Sequence, residues 1–294
     1  MSTVKDFYHS VVPLQMRKRI WELLRHESVI ELRKALHRPI ASVRVAHGDL
    51  YVDVRDLGVG RPLFERSIYE PVETALLSRL LTPGMSFVDI GANIGYYTTL
   101  AGRAVGKAGW VLAIEPDRHN HELLVRNIRR NGLTNVTARR TALGARPGSA
   151  LLYPSSDNYG DHRLYGSDGR KPTDTVMVEP LDQVLARCEA PPIDLVKMDV
   201  QGYEHHVIQG MGRLLAADRP LTILTEYWPW GIEKAGGNPS EFIGALWAAG
   251  FQAHVVHKDE LREVASPEDL EEQLPLFDPA FPDACYLNLL WQRS

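Results

Sequence analysis

Asp89, Gly91, Asn93 and Gly95 alternate through one short turn, and a carboxylate, Glu115, follows about twenty residues later. The two glycines flank a turn between the strand-like run Phe87-Val88-Asp89-Ile90 and a helix opening at Tyr96. Lacking side chains, they let a ligand approach the backbone. A dinucleotide-binding turn needs a further glycine where Asn93 stands, to seat a pyrophosphate on the helix N-terminus. Its absence points to a nucleoside ligand with no pyrophosphate. Asp89 then suits an amino group on that ligand, and the Asn93 amide suits a carboxylate. Glu115 ends the run Trp110-Val111-Leu112-Ala113-Ile114, where it can accept both ribose hydroxyls, each such charged hydrogen bond contributing about 1.5–3 kcal/mol. Pro116-Asp117 opens the next helix, and Asp117 reads as its N-cap.

Acid–base groups must lie at the carboxyl ends of the strands, beside such a ligand. Asp199 closes the fourth strand-like run, with Glu204 about a turn later. Glu226 closes the fifth and is followed by Tyr227-Trp228-Pro229-Trp230. His162 lies in a long loop, and histidine is the side chain best suited to take a proton near neutral pH. The candidate catalytic residues are therefore His162, Asp199 and Glu226, with His162 the expected general base. His205 and His206 are adjacent on a helix and point about 100° apart, so at most one faces a site and both read as surface residues. Trp228 and Trp230 read equally as walls of an acceptor pocket or as core. Asp199 and Glu226, with Asp161 or His162, offer the oxygen-rich set that Mg²⁺ takes, but no spacing motif marks a metal site.

These residues need a parallel sheet to hold them. Strands are expected near 86–90, 110–114, 136–141, 193–198 and 221–226, alternating with helices near 71–81, 94–104, 117–131, 203–216 and 239–249. Runs at 251–256 and 286–291 add two strands, the second antiparallel. The expected fold is α/β, a mostly parallel seven-stranded Rossmann-like sheet with helices on both faces. Residues 154–173, rich in Ser, Asp, Gly and Tyr, read as a long loop. A basic amphipathic helix over 16–37 and a strand carrying Leu50, Val52 and Val54 precede the sheet. The expected division is an N-terminal extension over 1–64 and a catalytic domain over 65–294, the helix packing on that domain or on a second copy in a homodimer.

In the 294-residue chain, 33 basic and 37 acidic residues are interspersed, giving a net charge of -4 and no field for polyanions, so nucleic acid is not an expected partner. Cys188 and Cys285 form no CxxC pair, which argues against zinc or a disulfide framework and suits a reducing cytoplasm. No run reaches the roughly 18 apolar residues that span a bilayer, and no signal segment opens the chain, so membrane insertion is not expected.

Tyr69-Glu70-Pro71, Pro83-Gly84, the stretch Val88 to Thr98, Ile114-Glu115-Pro116 and Lys197-Met198-Asp199-Val200-Gln201-Gly202-Tyr203-Glu204 together resemble the FkbM family of methyltransferases over about residues 65–255. The resemblance implies a class I methyltransferase fold, S-adenosyl-L-methionine as cofactor, and methylation of a hydroxyl on a sugar, polyketide or other secondary metabolite. Carried onto this chain, it implies cofactor contacts from Glu70, Asp89, Gly91, Asn93, Glu115 and Asp199, with Ala142, after the third strand, meeting the adenine edge. Gln201 departs from the pattern, since many relatives carry Glu there. Two other readings share parts of this layout. A nicotinamide-dependent oxidoreductase is opposed by the missing middle glycine and the lack of a helical Tyr-x-x-x-Lys pair. A non-catalytic binding subunit is opposed by intact Asp89, Glu115 and Asp199.

Overall fold

The computed structural model describes residues 29–31, 37–166, 169–257, 260–275 and 285–294. Residues 29–31 are helical, with Ile30 buried; the remainder of the helix expected over 16–37, and the dimer contact assigned to it, lie outside the described residues.

Strands β1 (Ile40–Val45) and β2 (Gly48–Asp53) pair as an antiparallel hairpin. In β1, Ala41, Val43 and Val45 are buried while Ser42 and Arg44 face solvent, the alternation of a half-buried strand. Helix α1 (Gly60–Arg66) adds Leu63 and Phe64 to the same core. Among the described residues, eleven strands and nine helices follow: α2 (Pro71–Leu80), β3 (Ser86–Ile90), α3 (Tyr96–Ala104), β4 (Trp110–Ile114), α4 (Arg118–Arg130), β5 (Val136–Arg139), β6 (Ala142–Leu143), β7 (Gly148–Leu152), β8 (Asp174–Glu179), α5 (Leu181–Arg187), β9 (Leu195–Met198), α6 (Glu204–Gln209), α7 (Gly212–Ala216), β10 (Leu221–Tyr227), α8 (Pro229–Lys234), α9 (Pro239–Ala248), β11 (Gln252–His257), β12 (Glu260–Val264), α10 (Pro267–Gln273) and β13 (Leu287–Arg293). No described helix is long and apolar enough to cross a membrane.

The main sheet runs β12-β11-β13-β10-β9-β3-β4-β5. Strands β10, β9, β3, β4 and β5 are mutually parallel, and β13 is antiparallel between β10 and β11. Its centre is buried on both faces. Phe87 of β3 packs with Leu77, Leu100 and the hairpin, while Val88 and Ile90 pack with Val196, Leu181 and Ile208. Burying each such side chain contributes about 1.5–3 kcal/mol, which is why the strand reads as one apolar run.

Three expectations are corrected. The sheet has eight strands, not seven, because β12 adds an edge hairpin to β11. Four of its five residues are exposed, so it carries no apolar alternation to read. The helix expected over 203–216 is two helices broken at Gly210-Met211, where a Cβ on Gly210 would lie 2.3 Å from the Gly144 carbonyl oxygen. The third strand stops at Arg139, and β6, β8 and β7 form a separate three-stranded sheet.

Candidate active site

Strand register places the chemistry in one row. Ile90 of β3 is the register partner of Ile114 on β4 and Met198 on β9, and Met198 pairs with Thr225 on β10. The next residue on each strand is Glu226, Asp199, Gly91 and Glu115, in the spatial order β10, β9, β3, β4. The chain leaves β3 towards β4 on one side and returns to β9 on the other, so the row crosses the topological switch point where α/β sheets bind ligands. A cavity of about 310 Å³ opens there, lined among others by Glu70, Gly91, Asn93, Glu115, Ala142, His162, Asp199 and Glu226. Asp89 and Gly95 are not in its wall. Strand alternation turns Asp89 beneath the turn, where Thr98 Oγ1 donates to its Oδ2 (2.6 Å). Gly95 precedes α3 at φ 87°, and a Cβ there would lie 2.6 Å from Leu124 Cδ1.

The glycine turn is held by Glu115. Its Oε2 accepts the Asn93 N–H and its Oε1 the Asp117 N–H, both at 2.8 Å. Burial, then the nearby Asp117 and Asp89, push its carboxyl up to about 8 against those two donors. Asp117 caps α4 through the Asn120 N–H (2.8 Å), as expected. Gly91 sits at φ 80°, and a Cβ would lie 1.9 Å from the Asp199 carbonyl oxygen; the glycine lets the β9 exit cross the turn. The Asn93 side chain is already engaged, since Nδ2 donates to the Tyr159 carbonyl (3.0 Å) and Oδ1 accepts the Ile94 N–H (2.7 Å). Asn120 Nδ2 donates to the same carbonyl (2.9 Å), and the Tyr159 N–H reaches Asp56 (2.8 Å). The long loop is thus strapped across the nucleoside side of the cavity. Its tie to Asn93 takes one N–H of the amide that was expected to meet a ligand carboxylate.

His162 lies on this strap. The Ser155 N–H donates to its Nδ1 (3.1 Å), so in the neutral ring the proton sits on Nε2, which donates rather than accepts. Burial lowers its pKa, with Asp117, Asp56 and Asp161 opposing. These neighbours belong to the Glu115 side, not to Asp199 and Glu226. The general base expected at His162 is corrected on these grounds. Asp161 is occupied by the Arg163 and Arg170 guanidiniums, which removes it from the expected cation set.

At the other end, Asp199, Glu226 and Glu70 converge around Lys197. The lysine is 6% exposed inside the apolar run of β9, with Nζ 3.4 Å from Asp199 Oδ2 and 4.8 Å from the Tyr97 ring centroid. Burial lowers its pKa, but Asp199, Glu70 and Asp89 more than offset this and keep the ammonium charged. Glu70 precedes α2 with φ 39°, and its Oε2 accepts the Tyr97 hydroxyl (2.7 Å). Burial raises its pKa. The Gln201 amide donates to Asp199 Oδ1 (2.7 Å) from φ 54°, a contact that a glutamate there would turn into repulsion. Glu70, Asn93 and Gln201 hold left-handed backbone without being glycine, the kind of strain that collects at functional sites. Glu226 is raised well above the usual carboxylate range by burial and then by Asp199, Glu204 and Glu70. Glu204 is raised to about 7, mainly by burial.

Trp228 lines the cavity and Trp230 does not; their ring centroids are 5.2 Å apart, and the Arg163 guanidinium sits 4.9 Å over Trp228. The histidine pair is structural rather than superficial. His205 is 6% exposed and its Nδ1 accepts the Asn238 N–H (3.1 Å), while His206 Nε2 meets the Ala235 carbonyl (2.9 Å). Sequence reasoning assigned no role to Lys197, whose signal is a charge inside a buried strand, or to the amide of Gln201.

A parallel sheet with β13 inserted antiparallel, a glycine turn after its central strand and an acidic residue closing the next define the class I methyltransferase fold. The model of the methyltransferase FkbM domain matches residues 89–253, and the chain belongs to that family. A protein of Sulfurisphaera tokodaii described as "Probable cobalt-precorrin-6B C(15)-methyltransferase (decarboxylating)" is 42% identical over 62 residues, 21% of this chain and 32% of that one. The crystal structure of methyltransferase FkbM from Methylobacillus flagellatus KT is 17% identical, covering 78% of this chain and 50% of that chain with a TM-score of 0.48. Fibrillarin from Aeropyrum pernix, solved with natively bound S-adenosyl-L-methionine, is 13% identical over 76% of this chain and 74% of that chain, with a TM-score of 0.43. The matches thus span about a third of the curated relative and half of the first structure.

The donor set suits S-adenosylmethionine. Glu115 offers acceptors for a ribose diol, and the excess of carboxylates around Lys197 suits a ligand end bearing sulfonium and ammonium charges.

Proposed function

We propose that the chain is an S-adenosylmethionine-dependent methyltransferase acting on a hydroxyl of a sugar or other secondary-metabolite acceptor. The row of Glu226, Asp199, Gly91 and Glu115 across the switch point carries this reading. When bound, the cofactor supplies an electrophilic methyl group on a positively charged sulfur. Glu115 accepts the ribose hydroxyls, the backbone at Ala142 meets the adenine edge, and Glu70 and Asp199 hold the ammonium. A hydroxyl must lose its proton as it attacks, and a buried carboxyl with raised proton affinity suits that transfer. Glu226 has that character and lines the cavity, so in its ionised form, favoured by the positive charge of the bound sulfonium, it takes the proton. Trp228 offers a flat apolar wall for a ring face. The unpaired cysteines, Cys188 and Cys285, fit a reducing cytoplasm.

Two tests follow from these roles. With S-adenosylmethionine tritiated on its methyl group, hydroxylated sugars and glycosylated metabolites should become labelled; turnover confined to small, highly charged amines would overturn the acceptor class. The second test is pH dependence. Glu115 in the ligand-free protein holds a proton below about 8, whereas accepting ribose hydroxyls favours its ionised form. Binding then releases a proton, and the affinity for S-adenosylhomocysteine rises about tenfold between roughly pH 7 and pH 9. Calorimetry in buffers of different ionisation enthalpy measures the release; affinity flat across that window with no proton released contradicts the role.

A further inference from the structure

We propose that Asp199, Glu204 and Glu226 form a site for one divalent cation of the oxygen-liganded class, open on one side to the cavity, where the ion takes an oxygen of the acceptor. The acceptor's part in this rests on the methyltransferase reading; the ion's binding does not.

One oxygen from each carboxylate lies within 4.8 Å of the others, about twice the metal–oxygen distance of roughly 2.0–2.6 Å, so a single ion reaches all three. The separate sign of a missing ligand is Glu204. It is 0% exposed, and the Val200 N–H donates to its Oε1 (2.9 Å), which fixes the carboxylate's orientation. Its Oε2 has no hydrogen-bond partner among the described residues. A sealed carboxylate oxygen with no donor is unfavourable unless something compensates it. Glu204 is absent from the cavity wall, whereas Asp199 and Glu226 belong to it. The site therefore meets the cavity through Asp199 and Glu226, with the sealed Glu204 carboxylate within reach of both. Lys197 does not fill the role: its ammonium approaches Asp199 at 3.4 Å and is shared with Glu70 and Asp89. The Gln201 amide steadies Asp199 from the other side. Glutamate and aspartate oxygens with no histidine or cysteine among them select Mg²⁺, Mn²⁺ or Ca²⁺ over softer metals.

The test is titration of the purified full chain with Mn²⁺, read by electron paramagnetic resonance, with S-adenosylhomocysteine binding measured on the same preparation. One Mn²⁺ should bind per chain, and Glu204→Gln and Glu226→Gln should each weaken it by about tenfold or more while S-adenosylhomocysteine affinity is retained. Should Glu204→Gln fail to fold, Glu226→Gln carries the test. Wild-type protein that takes up no stoichiometric Mn²⁺ at millimolar concentration, or variants that fold and bind it as wild type does, overturns the site. S-adenosylhomocysteine binding without Mn²⁺ removes the cation site and leaves the methyltransferase reading; Mn²⁺ binding without S-adenosylhomocysteine does the reverse.

Discussion

Glu115→Ala should lower the affinity for S-adenosylhomocysteine by about 10²–10⁴-fold. Two ribose hydroxyls donating to one carboxylate contribute about 1.5–3 kcal/mol each, and roughly 3–6 kcal/mol converts to that range. The same carboxylate accepts the N–H groups of Asn93 and Asp117, so the alanine variant also frees the glycine turn that forms the floor of the site. Glu115→Gln separates the two effects, because the amide keeps an acceptor for one backbone N–H while losing the charge. It should fall between wild type and alanine. Calorimetry with S-adenosylhomocysteine reads both, beside a thermal melt to establish folding. A folded alanine variant within about threefold of wild-type affinity would remove Glu115 from cofactor binding.

Glu226→Gln should lower turnover by about 10²–10⁴-fold, the usual contribution of a general base. The side chain keeps its size, so the affinity for S-adenosylhomocysteine should change little. The ligand-free variant should be at least as stable as wild type, because the glutamate is raised by burial and by neighbouring Asp199, Glu204 and Glu70. Loss of activity with stability gained is the pattern of a functional group held at a cost to the fold. Turnover within about threefold of wild type at saturating acceptor would assign the proton transfer elsewhere.

Glu115, Asp199 and Glu226 were legible in the sequence because each follows an apolar run, and a carboxylate after a buried strand stands where α/β sheets bind ligands. Register then aligned them without help from side-chain detail. The role of His162 was not legible. Which ring nitrogen is free depends on Ser155, seven residues away, and on burial by the folded strap. Asn93 shows the same limit, since the Tyr159 carbonyl that occupies it comes from a segment with no periodicity. Asp161 and Glu204 exchanged expectations for a related reason. Arginines from the strap neutralise the first, while the turn at Val200 carries the second beside Asp199. The edge strand β12 escaped notice because a solvated strand has no buried face to impose alternation.

Isothermal calorimetry of the purified chain with S-adenosylhomocysteine and, separately, with reduced nicotinamide cofactor tests the central claim most directly. Stoichiometric binding of S-adenosylhomocysteine with no heat from the nicotinamide cofactor is expected. Binding of the nicotinamide cofactor, or of neither, would contradict the assignment of the Gly91–Glu115 floor and every catalytic role built on it.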